Sequence, residues 1–360
     1  MNSFDATGAM VSRVRDAAER GRGVAIRGGG TRSAWHHPPE STGIELDFSQ
    51  HAGVIRYEPT ELVATVRAGT PLRELEATLA GEGQCLPFDP PRFGEASTIG
   101  GAIATGASGP GRPWLGAARD AVLGVRIVDG RGEVGRFGGE VMKNVAGYDI
   151  ARLQAGAFGT VGAILDVSLR VRALPECSET RMLELGMSGA FERMAELGRR
   201  PWPLTGLAWE GGRLYVRFEG SQEGVSAAVA EVGGERVDAR FWDDLRDLRA
   251  SFFAEASVRP DEGPALWRLS LPADAPRPAF PANWLLDWGG ALRWCVTDAD
   301  PRRVFEAARE MGGHALCLRP TLRRAAVAPA IARLEARVRA ALDPDGVLNP
   351  GVMAPAPEAQ

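Results

Sequence analysis

At 360 residues, with 44% hydrophobic and 24% charged content, the chain is long enough for two domains with separate cores and has the composition of a soluble globular protein. A net charge of -4 argues against a nucleic-acid partner, and the four cysteines, Cys85, Cys177, Cys295 and Cys317, form no CxxC, which leaves no ligand set for an iron-sulfur cluster or zinc ribbon and points to a reduced, cytoplasmic setting. The start MNSFDATGAM lacks a basic region followed by an apolar core, and no stretch is long enough to span a bilayer, so neither secretion nor membrane integration is expected.

In chain order, residues 10–19 are predicted as a helix and 24–27 as a strand that runs into Gly28, Gly29, Gly30 and Thr31. Consecutive glycines leave backbone N–H groups uncovered and admit positive φ, so an anionic phosphate can lie directly on the main chain; the segment reads as a pyrophosphate cradle. Residues 62–67 are a second strand, after which Thr70 is expected to cap a helix with Pro71 at its first position and Leu72, Leu75 and Leu79 on one face. A second glycine turn follows in STIGGAIATG, where Ser97 and Thr98 are placed to cap a short helix while Gly100 and Gly101 allow close approach. Two anion-binding turns suggest a large dinucleotide. Residues 122–128, the turn Asp129-Gly130 and residues 134–137 form a hairpin, and Leu165, Val167, Leu169 and Val171 alternate with Asp166, Ser168, Arg170 and Arg172 as in a half-buried strand.

The chain divides near Pro175. Beyond it, LTGLAWEGGRLYVRFEG with a helical stretch at 223–232 repeats weakly as NWLLDWGGALRWCVTDAD with a helical stretch at 302–311. Two such strand, turn, strand, helix units can form one antiparallel sheet with helices on one side. Trp209, Trp288 and Trp294 lie here and are expected in the core. Val327, Ile331, Leu334, Val338 and Leu342 form a helical stripe ending at Asp343-Pro344, and the following GVLNPGVM is expected to fold back onto the first domain.

Four segments taken in order, RGGGT, then FDPPRFGEASTIGGAIATGASGPGRPWLGAARDAVLG, then GGEVMKNVAGYDIARLQAGAFGTVGAI, and last DPDGVLNPGVM, resemble the FAD-linked oxidases of the vanillyl-alcohol oxidase and MurB-like superfamily. MKNVAGYD and the short chain look most like the FAD-binding subunits of glycolate oxidases. The resemblance implies an α+β protein: a two-part PCMH-type FAD-binding domain at 1–175, a smaller antiparallel-sheet domain with helices at 176–325, and a C-terminal helix and tail at 326–360 returning to the FAD domain.

Carried over position by position, the resemblance implies that Arg27, Gly28, Gly29, Gly30, Thr31 and Arg32 wrap the FAD pyrophosphate. Ser97, Thr98, Gly100 and Gly101, with Ala104 and Thr105 nearby and Pro87 on the approach, reach it from the other side. Gly156, Gly159, Thr160 and Gly162 lie beside the adenosine half, with the Ile164 backbone on the adenine. Lys143, the single lysine of the chain, and Asn144 fall near the flavin ring, and Asn349 is a tail residue returning toward the cofactor. Members that bond the flavin covalently often carry histidine where Thr31 stands here, so a dissociable FAD is expected, with His36 and His37 on the loop surface. The glycine-spaced loop at 156–162 precedes a strand and lacks a βαβ setting, which argues against an NAD fold.

The chemistry the resemblance implies is oxidation of glycolate to glyoxylate, with electrons leaving through partners: a second FAD-linked oxidase subunit and an iron-sulfur subunit. Membrane association, at the inner face, comes only through that complex. Oxidising a hydroxy acid calls for a base and a cation for the carboxylate. His314 is the candidate base, Arg319 or Arg293 the candidate clamp, and no metal site is expected. Two alternatives stand beside this reading: a self-sufficient FAD oxidase of another hydroxy acid or sugar-derived alcohol, and a flavin-free scaffold subunit.

Overall fold

The computed structural model describes residues 4–40, 42–139, 148–259 and 263–354. The described chain separates into two units: one made of the residues up to Ser108 with Gly116–Leu174 and Val327–Ala354, the other of Gly109–Leu115 and Pro175–Ala326.

In the first unit, helix α1 (Thr7–Glu19) buries Met10, Val14 and Ala17, which its periodicity places on one face. Strand β1 (Gly23–Arg27) pairs in parallel with β2 (Thr42–Asp47). Strands β3 (Val54–Glu58) and β4 (Val63–Arg67) lead to α2 (Leu72–Ala80), whose Leu72, Leu75 and Leu79 are fully buried and contribute about 2 kcal/mol each by removal from water. After α3 (Ile99–Thr105) come β5 (Val122–Val128), β6 (Val134–Gly138) and β7 (Ala163–Arg170). Among the described residues, five strands form an antiparallel sheet in the order β3-β4-β7-β5-β6, and the three helices bury their apolar faces in one core with it.

Two local expectations are corrected. Thr70 does not cap α2: its hydroxyl donates to the Arg67 carbonyl at 2.7 Å and accepts the Gly53 N–H at 2.9 Å, so it ties down the preceding turn and the helix starts after Pro71. Strand β7 is not half-buried, because its polar alternates are covered too. Ser168 meets Thr65 at 2.9 Å, and Asp166 meets Arg126 and lies 3.3 Å from the fully buried His51. Period-2 alternation looked like a solvent face; it is a row of paired polar groups, which burial tolerates only with partners.

The second unit follows as β8 (Cys177–Glu184), α4 (Met187–Leu197), β9 (Leu204–Glu210), β10 (Arg213–Gly220), α5 (Gln222–Val232), β11 (Glu235–Val237), α6 (Arg240–Arg246), α7 (Ser251–Ala254), β12 (Ala265–Ser270), β13 (Asn283–Asp287), β14 (Leu292–Thr297), α8 (Pro301–Glu310), β15 (His314–Arg319) and β16 (Arg323–Arg324). Its described strands make one nine-stranded antiparallel sheet, ordered β11-β8-β10-β9-β13-β14-β12-β15-β16. The repeat is real: β9, β10 and α5 match β13, β14 and α8, and the two copies meet where Trp209 pairs with Leu286. Helices α4, α5 and α8 share a core with one sheet face, in which Trp267 is fully buried. Helices α6 and α7, which sequence patterning missed, are on the other face. There Trp242 donates to Thr180 at 3.0 Å and Phe253 meets Trp294 edge-on at 5.2 Å. Helices thus cover both faces, not one.

The chain then re-enters the first unit through α9 (Pro329–Leu342). Its apolar stripe is not buried: Ile331 and Leu334 are 49% and 56% exposed, and Val327, expected to open the stripe, precedes the helix and is 49% exposed. Beyond it, Asp343 accepts the N–H groups of Val347 and Leu348 at 2.9 and 2.8 Å, and those two apolar residues join the core while Leu348 bridges Val24 of β1.

Candidate functional site

The loop after β1 and the turn before α3 are packed on each other. A Cβ on Gly29 would lie 1.5 Å from the Ala96 carbonyl oxygen, and one on Gly28 would lie 2.7 Å from Thr98 Oγ1, so these positions admit glycine because the second loop occupies the space. Gly30 is glycine for another reason, its φ of +70°. On the other side, a Cβ on Gly100 would meet the Ala68 Cβ at 2.6 Å. Thr98 caps α3 by accepting the Gly101 N–H at 3.2 Å; Ser97 does not share that role. Its hydroxyl accepts from Arg32 Nη1 at 2.5 Å, while Arg32 Nη2 donates to the Pro91 carbonyl and the guanidinium covers Phe93. Arg32, nearly buried, is therefore a strut between the two loops.

A third segment is locked on by the tail. Asn349, with a φ of +45°, accepts the Ile26 N–H at 2.7 Å through Oδ1 and donates to the Phe158 carbonyl at 2.7 Å through Nδ2. A Cβ on the neighbouring Gly159 would press on Asn349 and Ile26 at 3.1 Å each.

These segments enclose a cavity of about 600 Å³. Of the residues expected from the sequence, Arg27, Gly28, Gly29, Gly30, Thr31, Arg32, Thr98, Gly100, Gly101, Ala104, Gly159, Ile164 and Asn349 line it. Pro87 and Ser97 are buried behind the wall, and Gly156, Thr160 and Gly162 shape the loop without lining it: the Gly156 N–H meets the Ile103 carbonyl, Thr160 folds back on the Ala157 carbonyl, and Gly162 packs on Ile127. Lys143 and Asn144 lie outside the described residues. His36, expected on the surface, lines the cavity edge-on to Phe158 at 6.1 Å. Glu45, which also pairs with Arg27 at 3.5 Å, and Phe48 line it unforeseen, because neither belongs to a glycine motif.

The catalytic candidates are in the second unit and do not converge. Arg293 is 1% exposed and spends its guanidinium on the carbonyls of Gly290, Pro276 and Ala275 at 3.0, 2.7 and 2.5 Å, over the Phe191 ring. That makes it a structural clasp, and burial lowers its pKa to about 10. Arg319 donates to the Phe253 carbonyl at 3.0 Å. His314 opens β15 opposite Ser270, on the sheet face away from Arg293. Burial, with the charges of Arg268, Arg112 and Arg324, lowers its pKa below the usual 6.5, so the ring is neutral at neutral pH.

The fold and the cavity define an FAD-linked oxidoreductase, and the comparisons agree. The FAD binding domain family profile matches residues 5–138. Over 356 residues, 98% of this chain and 99% of its relative, the sequence is 41% identical to glycolate oxidase subunit GlcE of Escherichia coli (strain K12). Glycolate oxidase subunit GlcD of Bacillus subtilis (strain 168) is 32% identical over 44% of this chain and 33% of its own length. A solved structure of alkyldihydroxyacetonephosphate synthase superposes with a TM-score of 0.65 at 17% identity, over 95% of this chain and 74% of that one, a likeness of fold. The chain belongs to the FAD-linked oxidase family, alongside glycolate oxidase subunit GlcE.

FAD is the cofactor of this family, and the residues present fit it. The cavity is bounded by backbone where side chains would collide, as a large anion lying on the main chain requires. Among the described residues, no helix is long and apolar enough to cross a membrane.

Proposed function

We propose that this chain is the FAD-binding subunit of a glycolate oxidase complex, serving the oxidation of glycolate to glyoxylate with electrons passed on through a second FAD-linked subunit and an iron-sulfur subunit. The cytoplasm is its place, with membrane contact made only through those partners. The observation that carries the reading is the full-length 41% identity to GlcE combined with a cavity whose walls are the two glycine loops. Gly28 to Gly30 and the turn at Thr98 to Gly101 would hold the pyrophosphate by main-chain N–H groups, while Asn349 fixes β1 and the Phe158 turn as the remaining walls. Bound FAD supplies the two-electron acceptor for the carbinol carbon. Thr31 offers no ring nitrogen for a covalent link, so the cofactor is dissociable.

The test has two parts. Purified chain should carry flavin that acid precipitation releases from the protein; colourless protein that takes up no added FAD would point to a scaffold subunit. Stopped-flow mixing with glycolate should leave the isolated chain's flavin oxidised, or reduce it slowly, and partner subunits should accelerate the bleaching. Rapid bleaching alone would indicate a self-sufficient oxidase.

A further inference from the structure

Helix α9 is fastened at its end and bare along its length. The Gly130 N–H donates to the Leu342 carbonyl at 2.9 Å and Arg131 Nη1 to the Ala341 carbonyl at 3.2 Å, so the last turn is tied to the β5–β6 hairpin of the first unit. Upstream of that turn, residues 329–337 are all exposed, and among the described residues the helix buries no side chain. Helices of this length usually owe their stability to a packed apolar face. This one has such a face and nothing over it. Ile331, Leu334, Val338 and Ala341 recur at spacings of three and four, the a and d positions of two heptads, with β-branched residues at a and leucine at the first d. The two edges of that seam differ. Arg333 and Arg337 stand one turn apart on the Leu334 side, and Glu335 stands on the other side, one turn from Ile331. Among the described residues, neither Arg333 nor Arg337 has an ion-pair partner.

We infer that α9 is a docking seam for one amphipathic helix of a partner protein, which lays an apolar ridge on Ile331, Leu334 and Val338 and an acidic edge against Arg333 and Arg337. The width of the seam selects a helix. One or two apolar side chains per turn fit between the knobs of a single facing helix, and β-branched a with leucine d is the pattern of two-stranded pairing. A lipid surface takes a broader face with aromatic anchors, which α9 lacks, and it would draw Glu335 out of water beside Ile331. The charges select the sequence of that helix. A second, antiparallel copy of α9 would set its own arginine edge against this one, so the complement is a different chain with carboxylates along that side. The tether at Gly130 and Arg131 holds the seam in a fixed orientation before the partner arrives, which lowers the entropy lost on docking.

That a partner exists rests on the complex proposed above, so the seam is tested both without and with those subunits. A fluorescein-labelled three-heptad peptide, with Ile at a, Leu at d and Glu at e and g, should bind the full chain saturably by anisotropy, and more weakly as salt rises. The same peptide with Lys at e and g should bind at least about tenfold more weakly. Ile331→Glu and Leu334→Glu, at exposed positions where the fold tolerates charge, should each weaken the acidic peptide about thirtyfold. Absent binding, equal binding of the two peptides, or unchanged affinity in both folded variants overturns the seam. A dimer in sedimentation equilibrium, or flotation with phosphatidylcholine–phosphatidylglycerol vesicles, overturns it as well if Leu334→Glu abolishes that association. The two partner subunits separate this inference from the proposed function. A complex that forms equally with the parent and both glutamate variants sinks only the seam, whereas specific peptide binding by a chain that the subunits ignore sinks only the complex.

Discussion

Asn349 accepts the backbone N–H of Ile26 across 323 residues of sequence, at 2.7 Å. The same side chain donates to the Phe158 carbonyl, so one amide ties the tail to two walls of the cofactor cavity. Asn349→Ala should lower stability by about 3 kcal/mol, two hydrogen bonds lost with buried backbone partners left behind. Asn349→Gly tolerates the φ of +45° and removes only the side chain, so comparing the two by urea unfolding isolates backbone strain from bonding. Both variants should also hold FAD less tightly.

Gly29→Ala should abolish flavin binding while far-UV circular dichroism stays close to that of the parent, because the new methyl would sit 1.5 Å from a backbone oxygen of the opposite loop. Gly30→Ala should be milder. Its Cβ has no neighbour nearer than 3.9 Å, leaving the φ of +70° at a cost of about 1 kcal/mol. Equal flavin loss in the two variants would show that the loop contact is not the determinant.

His314 should titrate below 6.5 when followed by NMR of its imidazole protons. As pH falls through 6.5 the unfolded chain takes up this proton before the folded chain does, so the folded state loses stability through this group on the acid side. Arg268→Met should move the titration back up toward 6.5, since burial of the ring is joined by repulsion from Arg268, Arg112 and Arg324. An unmoved midpoint in that variant would mean the arginine does not reach the ring.

Leu334→Ser should change unfolding stability by no more than about 0.5 kcal/mol, as expected for a side chain 56% exposed. Leu75→Ser on α2, at 0% exposure, should instead cost several-fold more. Thermal melts of the two variants make the comparison directly.

The glycine loops were legible in the sequence because their constraint is local: a residue without a side chain is the only one that fits, and its neighbours announce the turn. Hairpins and the apolar faces of α1 and α2 were legible for the same reason. Positions fixed by distant partners were not. Asp166 and Ser168 looked solvent-facing on β7 until Arg126, His51 and Thr65 came to meet them, and Arg293 resembled a substrate clamp until three backbone carbonyls claimed it. Glu45, Phe48 and His36 enter the cavity wall through tertiary placement that no spacing records. The α9 stripe misled in the opposite sense, since helical periodicity marks a face and says nothing of whether the unit supplies a cover for it.

The first unit is encoded at both ends of the chain, with Val347, Leu348 and Asn349 completing what β1 begins. On the ribosome, β1 emerges ahead of residues 175–326 and must wait until residues 347–349 have followed them before its last partners exist, while residues 175–326 are already free to fold. Synthesis therefore finishes the second unit before the first can close, and a chain stopped short of residue 349 carries the nine described strands of the second unit's sheet but a cofactor pocket that has lost its latch.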